Sequence, residues 1–193
     1  FVQTVVWNHA SLEPSMGGEG SGLASLKVFT ACPVKEGKAG APRANTFVID
    51  ACMCVPVKKG ELLSNVEMGN VAVSIDLATG KLGKGAVYDR ETACMPPLTL
   101  SRIPCFPQPF EGVALPFFSE VLQMVEAAHA TVLPGVHFLG WDVALTPEGP
   151  RLIDCNTFCS TACFGDALPR MSHALMMQVC LDRLQSMDDE LFK

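Results

Sequence analysis

Val136-His137-Phe138-Leu139-Gly140-Trp141-Asp142-Val143-Ala144-Leu145-Thr146-Pro147-Glu148-Gly149-Pro150-Arg151-Leu152-Ile153-Asp154-Cys155-Asn156 places two apolar runs around a turn rich in Pro and Gly, the pattern of a β-hairpin. A type I turn at Pro147 and Glu148, with Gly149 as the left-handed bulge residue, pairs Thr146 with Pro150 and sets Asp142 opposite Asp154. Side chains alternate along a strand, so Asn156 shares the face of the two acids, while Trp141, Val143, Leu145, Ile153 and Cys155 form the apolar face. The hairpin is expected to bury one side and to present two carboxylates and an amide oxygen on the other.

Two carboxylates about 5 Å apart across a strand pair repel one another. Solvent can relieve that repulsion, in which case Asp142 and Asp154 only keep a strand face wet, or a cation can. An all-oxygen donor set suits a hard ion, Mg2+ or Mn2+, and Mg2+ is commonly held by one or two carboxylates while substrate phosphates complete its shell. The residues alone leave both readings open.

Composition bounds what surrounds the hairpin. The 193 residues suffice for one domain, or at most two small ones. Apolar residues make up 49% and charged ones 18%, so much of the chain is core material. A net charge of −6 argues against nucleic acid as a partner, because that binding rests on Lys and Arg neutralising phosphates. No apolar run reaches the 18 or so residues of a membrane-spanning helix. Cysteines stand at 32, 52, 54, 94, 105, 155, 159, 163 and 180. Their number is odd and several lie in apolar runs, so reduced thiols are expected rather than a disulfide framework. The spacing of Cys155, Cys159 and Cys163 fits neither usual zinc pattern. His9, His129, His137 and His173 lack ligand spacing and are expected to be structural.

Strands are expected near 1–7, 24–31, 45–56, 70–76, 136–145 and 151–156. Helical periodicity marks 117–130 and about 171–187. Prolines 96, 97, 104, 107, 109 and 116 predict a long loop over 89–116. Gly17-Gly18-Glu19-Gly20-Ser21-Gly22 lies too far before Lys27 for a P-loop and reads as a surface loop. Gly80-Lys81-Leu82-Gly83-Lys84-Gly85 reads as turn chemistry with solvated lysines. The expected class is α+β, an antiparallel sheet flanked by helices.

The run from Phe138-Leu139-Gly140-Trp141-Asp142 to Leu152-Ile153-Asp154-Cys155-Asn156 resembles the metal-binding end of the ATP-grasp superfamily. It is most similar to the sugar-transfer-associated branch, related to α-L-glutamate ligases, which carries F-x-G-W-D-x-A-x-T-P-x-G-P-x-L-I-E-x-N. Asp154 stands where that branch usually has Glu. Upstream, Phe1-Val2-Gln3-Thr4-Val5-Val6-Trp7-Asn8-His9 resembles the hinge strand whose backbone pairs with adenine. Ala24-Ser25-Leu26-Lys27-Val28-Phe29-Thr30 resembles a strand written S-T-x-R-V-x-T, with Lys27 in place of the Arg. Lysine keeps the charge but loses the planar two-pronged donor. Ser64-Asn65-Val66-Glu67-Met68-Gly69-Asn70 resembles D-N-x-x-x-G-G, with Asn70 for the second Gly. Ile75-Asp76-Leu77-Ala78-Thr79-Gly80-Lys81-Leu82-Gly83 is similar to a hairpin of the branch.

The resemblance, over about residues 1–160, implies the C-terminal lobe of an ATP-grasp fold that uses ATP and Mg2+ (or Mn2+). It implies an ATP-dependent carboxylate-amine ligase working through an acyl phosphate, with a small-molecule or sugar-linked carboxylate and an amine as partners. Asp142, Asp154 and Asn156 would hold the metal; Gln3, Thr4, Val5 and Val6 would line adenine. Lys27 would face the transferred phosphoryl group and Asn65 the substrate end. Because the sequence opens at the hinge, residues 1–193 are expected to form a partial module without the first lobe. By itself such a chain would bind Mg·ATP at about millimolar strength or weaker and not turn it over. A cytoplasmic location is expected. The alternative is a non-catalytic, degenerate ATP-grasp domain acting as a binding or interaction module.

Overall fold

A computed structural model describes residues 8–12, 22–32, 46–57, 70–87, 98–100, 109–134 and 136–157. Among these residues seven strands form one sheet: β1 Ser25–Ala31, β2 Phe47–Val55, β3 Val71–Ile75, β4 Leu82–Val87, β5 Leu98–Leu100, β6 Phe138–Thr146 and β7 Gly149–Asn156. Their order is β5-β4-β3-β2-β1-β6-β7, and every neighbouring pair is antiparallel. Helix α1, Phe118–Val132, is inserted between β5 and β6 in the chain. The architecture is α+β, as the alternating runs and the helical period of 117–130 require. Among the described residues no helix is long and apolar enough to cross a membrane.

The two faces of the sheet differ in chemistry. Leu26 and Val28 of β1, Met53 of β2, Val73 of β3 and Trp141 and Val143 of β6 point to one side, where they join Phe118, Val121 and Val125 of α1 in the main core. Those helix positions recur at three- and four-residue intervals, which is why a single apolar stripe suffices to dock α1. Phe29, Ala31, Ile49, Cys52, Cys54 and Ala72 form a smaller buried cluster. The alternate residues of β1 and β6 on that side, Lys27 and Asp142, carry the charge. Strand β2 is buried along almost its whole length, consistent with its continuous apolar run Ala51-Cys52-Met53-Cys54-Val55 and its central position.

The β6–β7 hairpin reaches the expected pairing by another route. Thr146 pairs with Gly149, not with Pro150, so Pro147 and Glu148 alone span the turn, and a bulge then falls between the Asp142↔Asp154 and Val143↔Leu152 pairs. Gly149 has φ +119°, a conformation that a residue with a Cβ rarely adopts. The Thr146 hydroxyl lies 2.8 Å from the Gly149 carbonyl and 3.0 Å from a Glu148 carboxylate oxygen, and accepts the Glu148 N–H at 3.2 Å. The one-residue difference at the turn is cancelled by the extra residue at the bulge, which restores Asp142 opposite Asp154. Ile153 is that extra residue, and the expectation that it lies on the buried face is corrected: Ile153 and Leu152 are both about two-fifths exposed.

Two further corrections concern the middle of the chain. The reversal between β3 and β4 lies at Asp76–Gly80, where the Asp76 carboxylate accepts the N–H groups of Ala78 and Thr79 and Gly80 adopts φ +66°. Residues 82–87 are therefore strand, not turn. Within the proline-rich stretch, Leu98–Leu100 pairs with β4 as a short edge strand, at the start of the proline-free run between Pro97 and Pro104. The strand expected near 1–7 and the helix expected near 171–187 lie outside the described residues.

Close packing makes Gly85 a sensitive position. A Cβ there would lie 2.8 Å from the Phe110 ring and 2.9 Å from a Val71 methyl, both buried in the main core. Gly85→Ala should lower unfolding free energy by about 1–3 kcal/mol, the usual cost of overpacking; a urea midpoint equal to wild type would show that the ring has room to yield.

Candidate functional site

The strand registers line up five residues across the sheet. Ser74 of β3 pairs with Cys52 of β2, Cys52 with Lys27 of β1, Lys27 with Asp142 of β6, and Asp142 with Asp154 of β7. Residues directly opposite in a ladder share a face, so the row runs from a hydroxyl and a thiol through one ammonium to two carboxylates. Asn156, two positions beyond Asp154, stands on the same face.

At the centre of the row Lys27 Nζ donates to Asp142 Oδ1 at 2.7 Å. The two side chains retain 25% and 19% of their exposure, so the pair is half-sheltered yet reachable. Burial alone pushes the Lys27 ammonium down, but the hydrogen bond and charge of Asp142 outweigh it, and its pKa ends above the ordinary lysine value. Cys52, on the other side of Lys27, is fully buried. Burial first, then the neighbouring Cys54 thiol, pushes its pKa well above that of a free cysteine, with Lys27 pulling the other way. Cys52 is therefore a neutral neighbour and not a thiolate nucleophile.

Asp154 lies on an exposed part of β7. Its Oδ1 accepts the Cys155 N–H at 2.8 Å and its Oδ2 accepts from Asn156 Nδ2 at 3.3 Å. Burial first, then the negative charges of Asp154 and Asp142, push the pKa of the Cys155 thiol up.

The opposite face fixes the row in place. Trp141, beside Asp142 in sequence, donates its indole N–H to Thr30 Oγ at 2.8 Å. His129 Nε2 faces the Val136 carbonyl at 2.8 Å and must donate to it, so Nδ1 is left to accept the Thr30 hydroxyl at 2.7 Å. Thr30 and His129 have no exposed surface. This network ties α1 to β1 and β6 directly beneath the charged row. At the edge, buried Asn8 accepts the Ala24 N–H at 3.0 Å and donates to the Gly22 carbonyl at 3.1 Å, anchoring the segment before β1 to the start of that strand.

Of the residues singled out from the sequence, Lys27, Asp142, Asp154 and Asn156 share one face. Gln3, Thr4, Val5, Val6 and Asn65 lie outside the described residues. Asn70 is buried and accepts the Val57 N–H. His9, His129 and His137 are all hydrogen-bonded, and Cys32, Cys52, Cys54 and Cys155 are free thiols. Among the described residues no group of three or more His, Cys, Asp or Glu side chains is arranged to hold a metal ion. Any metal bound here would thus need Asn156 or ligand oxygens beside the two aspartates. The Thr30–His129–Trp141 network has one signal in the sequence, a threonine on an otherwise apolar strand face; its partners come from β6 and α1.

Replacing Asp142 by Asn leaves a half-buried ammonium without its counter-charge and should cost about 1–2 kcal/mol of stability. The pair contributes in full below the ordinary lysine pKa and loses its contribution as pH rises through the higher folded value. The stability gap between wild type and Asp142→Asn should therefore stay constant through neutral and mildly alkaline pH and close only in the lysine range. A gap that closes near neutrality would mean that the pair is not what stabilises the fold here.

The model of the sugar-transfer associated ATP-grasp family matches residues 43–166, more than half of the chain. The match takes in Asn65, Asp142, Asp154 and Asn156, and begins downstream of Gln3–Val6 and Lys27. No curated protein and no solved structure matches. With a matching hairpin, and an antiparallel sheet backed by a helix that presents its carboxylates in one row, the chain belongs to the sugar-transfer associated ATP-grasp family.

Proposed function

We propose that this chain forms the metal-bearing part of an ATP-dependent carboxylate-amine ligase. The observation that carries the reading is the row Lys27–Asp142–Asp154, one cation beside two opposed carboxylates on a sheet face that opens to solvent towards Asp154, in a chain of this family. The donor set fits Mg2+ or Mn2+: it is all oxygen, and two carboxylates with Asn156 supply the few protein ligands that such an ion takes when phosphates fill the rest of its shell. When bound, the ion supplies neutralisation of phosphate charge.

The chain's own groups would do the rest. Asp142 is held by ladder pairing on both sides and by the Trp141 anchor, so it would fix where the phosphates lie. Lys27 would offer its ammonium to the charge that develops as a carboxylate oxygen of the acceptor attacks the γ-phosphorus and ADP departs. An amine then attacks the acyl carbon and phosphate leaves. Gln3, Thr4, Val5 and Val6 are proposed to line adenine and Asn65 to approach the acceptor. A sugar-linked carboxylate or amine is the substrate class the family's description favours, and the supply of ATP favours the cytoplasm as its place of work.

A second reading is a binding module that keeps the fold without the chemistry. Lys27 and Asp142 neutralise each other at 2.7 Å, Asp154 is a methylene shorter than the family's usual Glu, and Asn70 serves the backbone of Val57. The two readings part in one assay. The full-length protein is given ATP, Mg2+ and a panel of carboxylic acids, sugar acids among them, with hydroxylamine to trap acyl phosphate. A ligase forms hydroxamate and ADP together. Absence of both with every acid, in protein that binds ATP, supports the module.

Lys27→Ala in the active full-length protein should lose about 3 kcal/mol of transition-state stabilisation, the scale of one electrostatic donor. Lys27→Arg should hold or raise the rate. An unchanged rate for Lys27→Ala would remove Lys27 from the chemistry.

A further inference from the structure

We infer that Lys27 acts as a built-in counter-ion for Asp142, rejecting a bare divalent cation and admitting one that arrives with its polyphosphate. The inference rests on the metal-site reading above and adds to it a selection rule. Three observations carry it. Lys27 Nζ is bonded to Asp142 Oδ1 at 2.7 Å, the inner carboxylate of the acidic pair. The ammonium comes from the adjacent strand in an unbroken register, so the backbone of Lys27 stays opposite that of Asp142 while the sheet is intact and its stem can still swing locally. The residue paired with it on its other side, Cys52, is a buried thiol whose pKa burial pushes well up, so within the row Asp142 is the charged neighbour of Lys27.

A divalent ion approaching Asp142 alone must take the carboxylate from Lys27 and leave the ammonium beside a second positive charge. An ion that carries a triphosphate brings phosphate oxygens with it, and Lys27 can exchange the carboxylate for them as the ion takes Asp142. The same side chain thus opposes free metal and favours the metal–nucleotide complex. A residue that only supports the fold would move both affinities in the same direction.

The test compares full-length wild type, Lys27→Met and Lys27→Arg, with Asp142→Asn as the control for site binding. Affinity for Mn2+ alone is read from the electron paramagnetic resonance of the free ion. Affinity for the preformed complex of Mn2+ with adenylyl imidodiphosphate is read by calorimetry. Lys27→Met, which keeps the length and apolar stem but not the charge, should bind Mn2+ alone about tenfold tighter than wild type and the complex about tenfold more weakly, a coupling of ordinary size. Lys27→Arg should keep the wild-type order. Mn2+ binding that depends on Asp142 but is equal or weaker in Lys27→Met overturns the inference and leaves the metal site standing. Absence of any Asp142-dependent binding, of ion or complex, overturns the metal-site reading and the inference with it.

Discussion

The pairing of β1 with β6 is the constraint on which the rest depends. Seven successive residue pairs, from Ser25↔Ala144 to Ala31↔Phe138, run without a bulge, so the two faces of this ladder are fixed relative to each other. Above it stand Lys27 and Asp142; below it lie Val28, Thr30 and Trp141. A slip of one residue would bury both charges and expose the indole. The Trp141–Thr30–His129 bonds make such a slip costly, because each buried polar atom in the chain would lose its partner. The fully buried network therefore sets the geometry of the face that carries the charges.

Much of this was legible locally and little of it at a distance. The apolar alternation of Leu139, Trp141, Val143 and Leu145 against Asp142 gave the face of β6 directly, and the spacing to Asp154 gave the opposed acids. At the turn the local pattern and the structure differ by one residue: Gly149 is the partner of Thr146 and not a bulge residue, and Asp142 still faces Asp154 only because β7 carries its extra residue at Ile153. Nothing in the apolar pattern distinguishes those two arrangements. The Lys27–Asp142 bond joins positions 115 residues apart and depends on which strands become neighbours, information that periodicity does not hold. β5 was hidden for a different reason: prolines on both sides make a loop the better local reading, and the edge of β4 overrides it.

The charges in the row are balanced unevenly. One ammonium faces two carboxylates, and only Asp142 is within its reach in the register. Asp154 answers its own charge locally, through the Cys155 N–H and the Asn156 amide. Those are weaker partners than an ion. A site with one acid answered by a lysine and the other by neutral donors has room for further positive charge at its outer end, which is where the proposed metal reading places it.

The two acids also differ in how firmly they are held. Asp142 sits on a strand paired on both sides, over a network with no exposed polar group. Among the described residues β7 is the last strand of the sheet, and a bulge falls immediately before Asp154. Bulges bend and twist the strand that carries them and re-aim its side chains. Asp142 thus defines a position, and Asp154 can adjust to it. This bears on Asp154 standing where the resemblance sets a Glu: in the proposed metal site a carboxylate one methylene shorter on a rigid central strand would leave a gap, whereas on a bulged edge strand the backbone can move to close it. The shorter acid is tolerable at 154 for a reason that does not extend to 142.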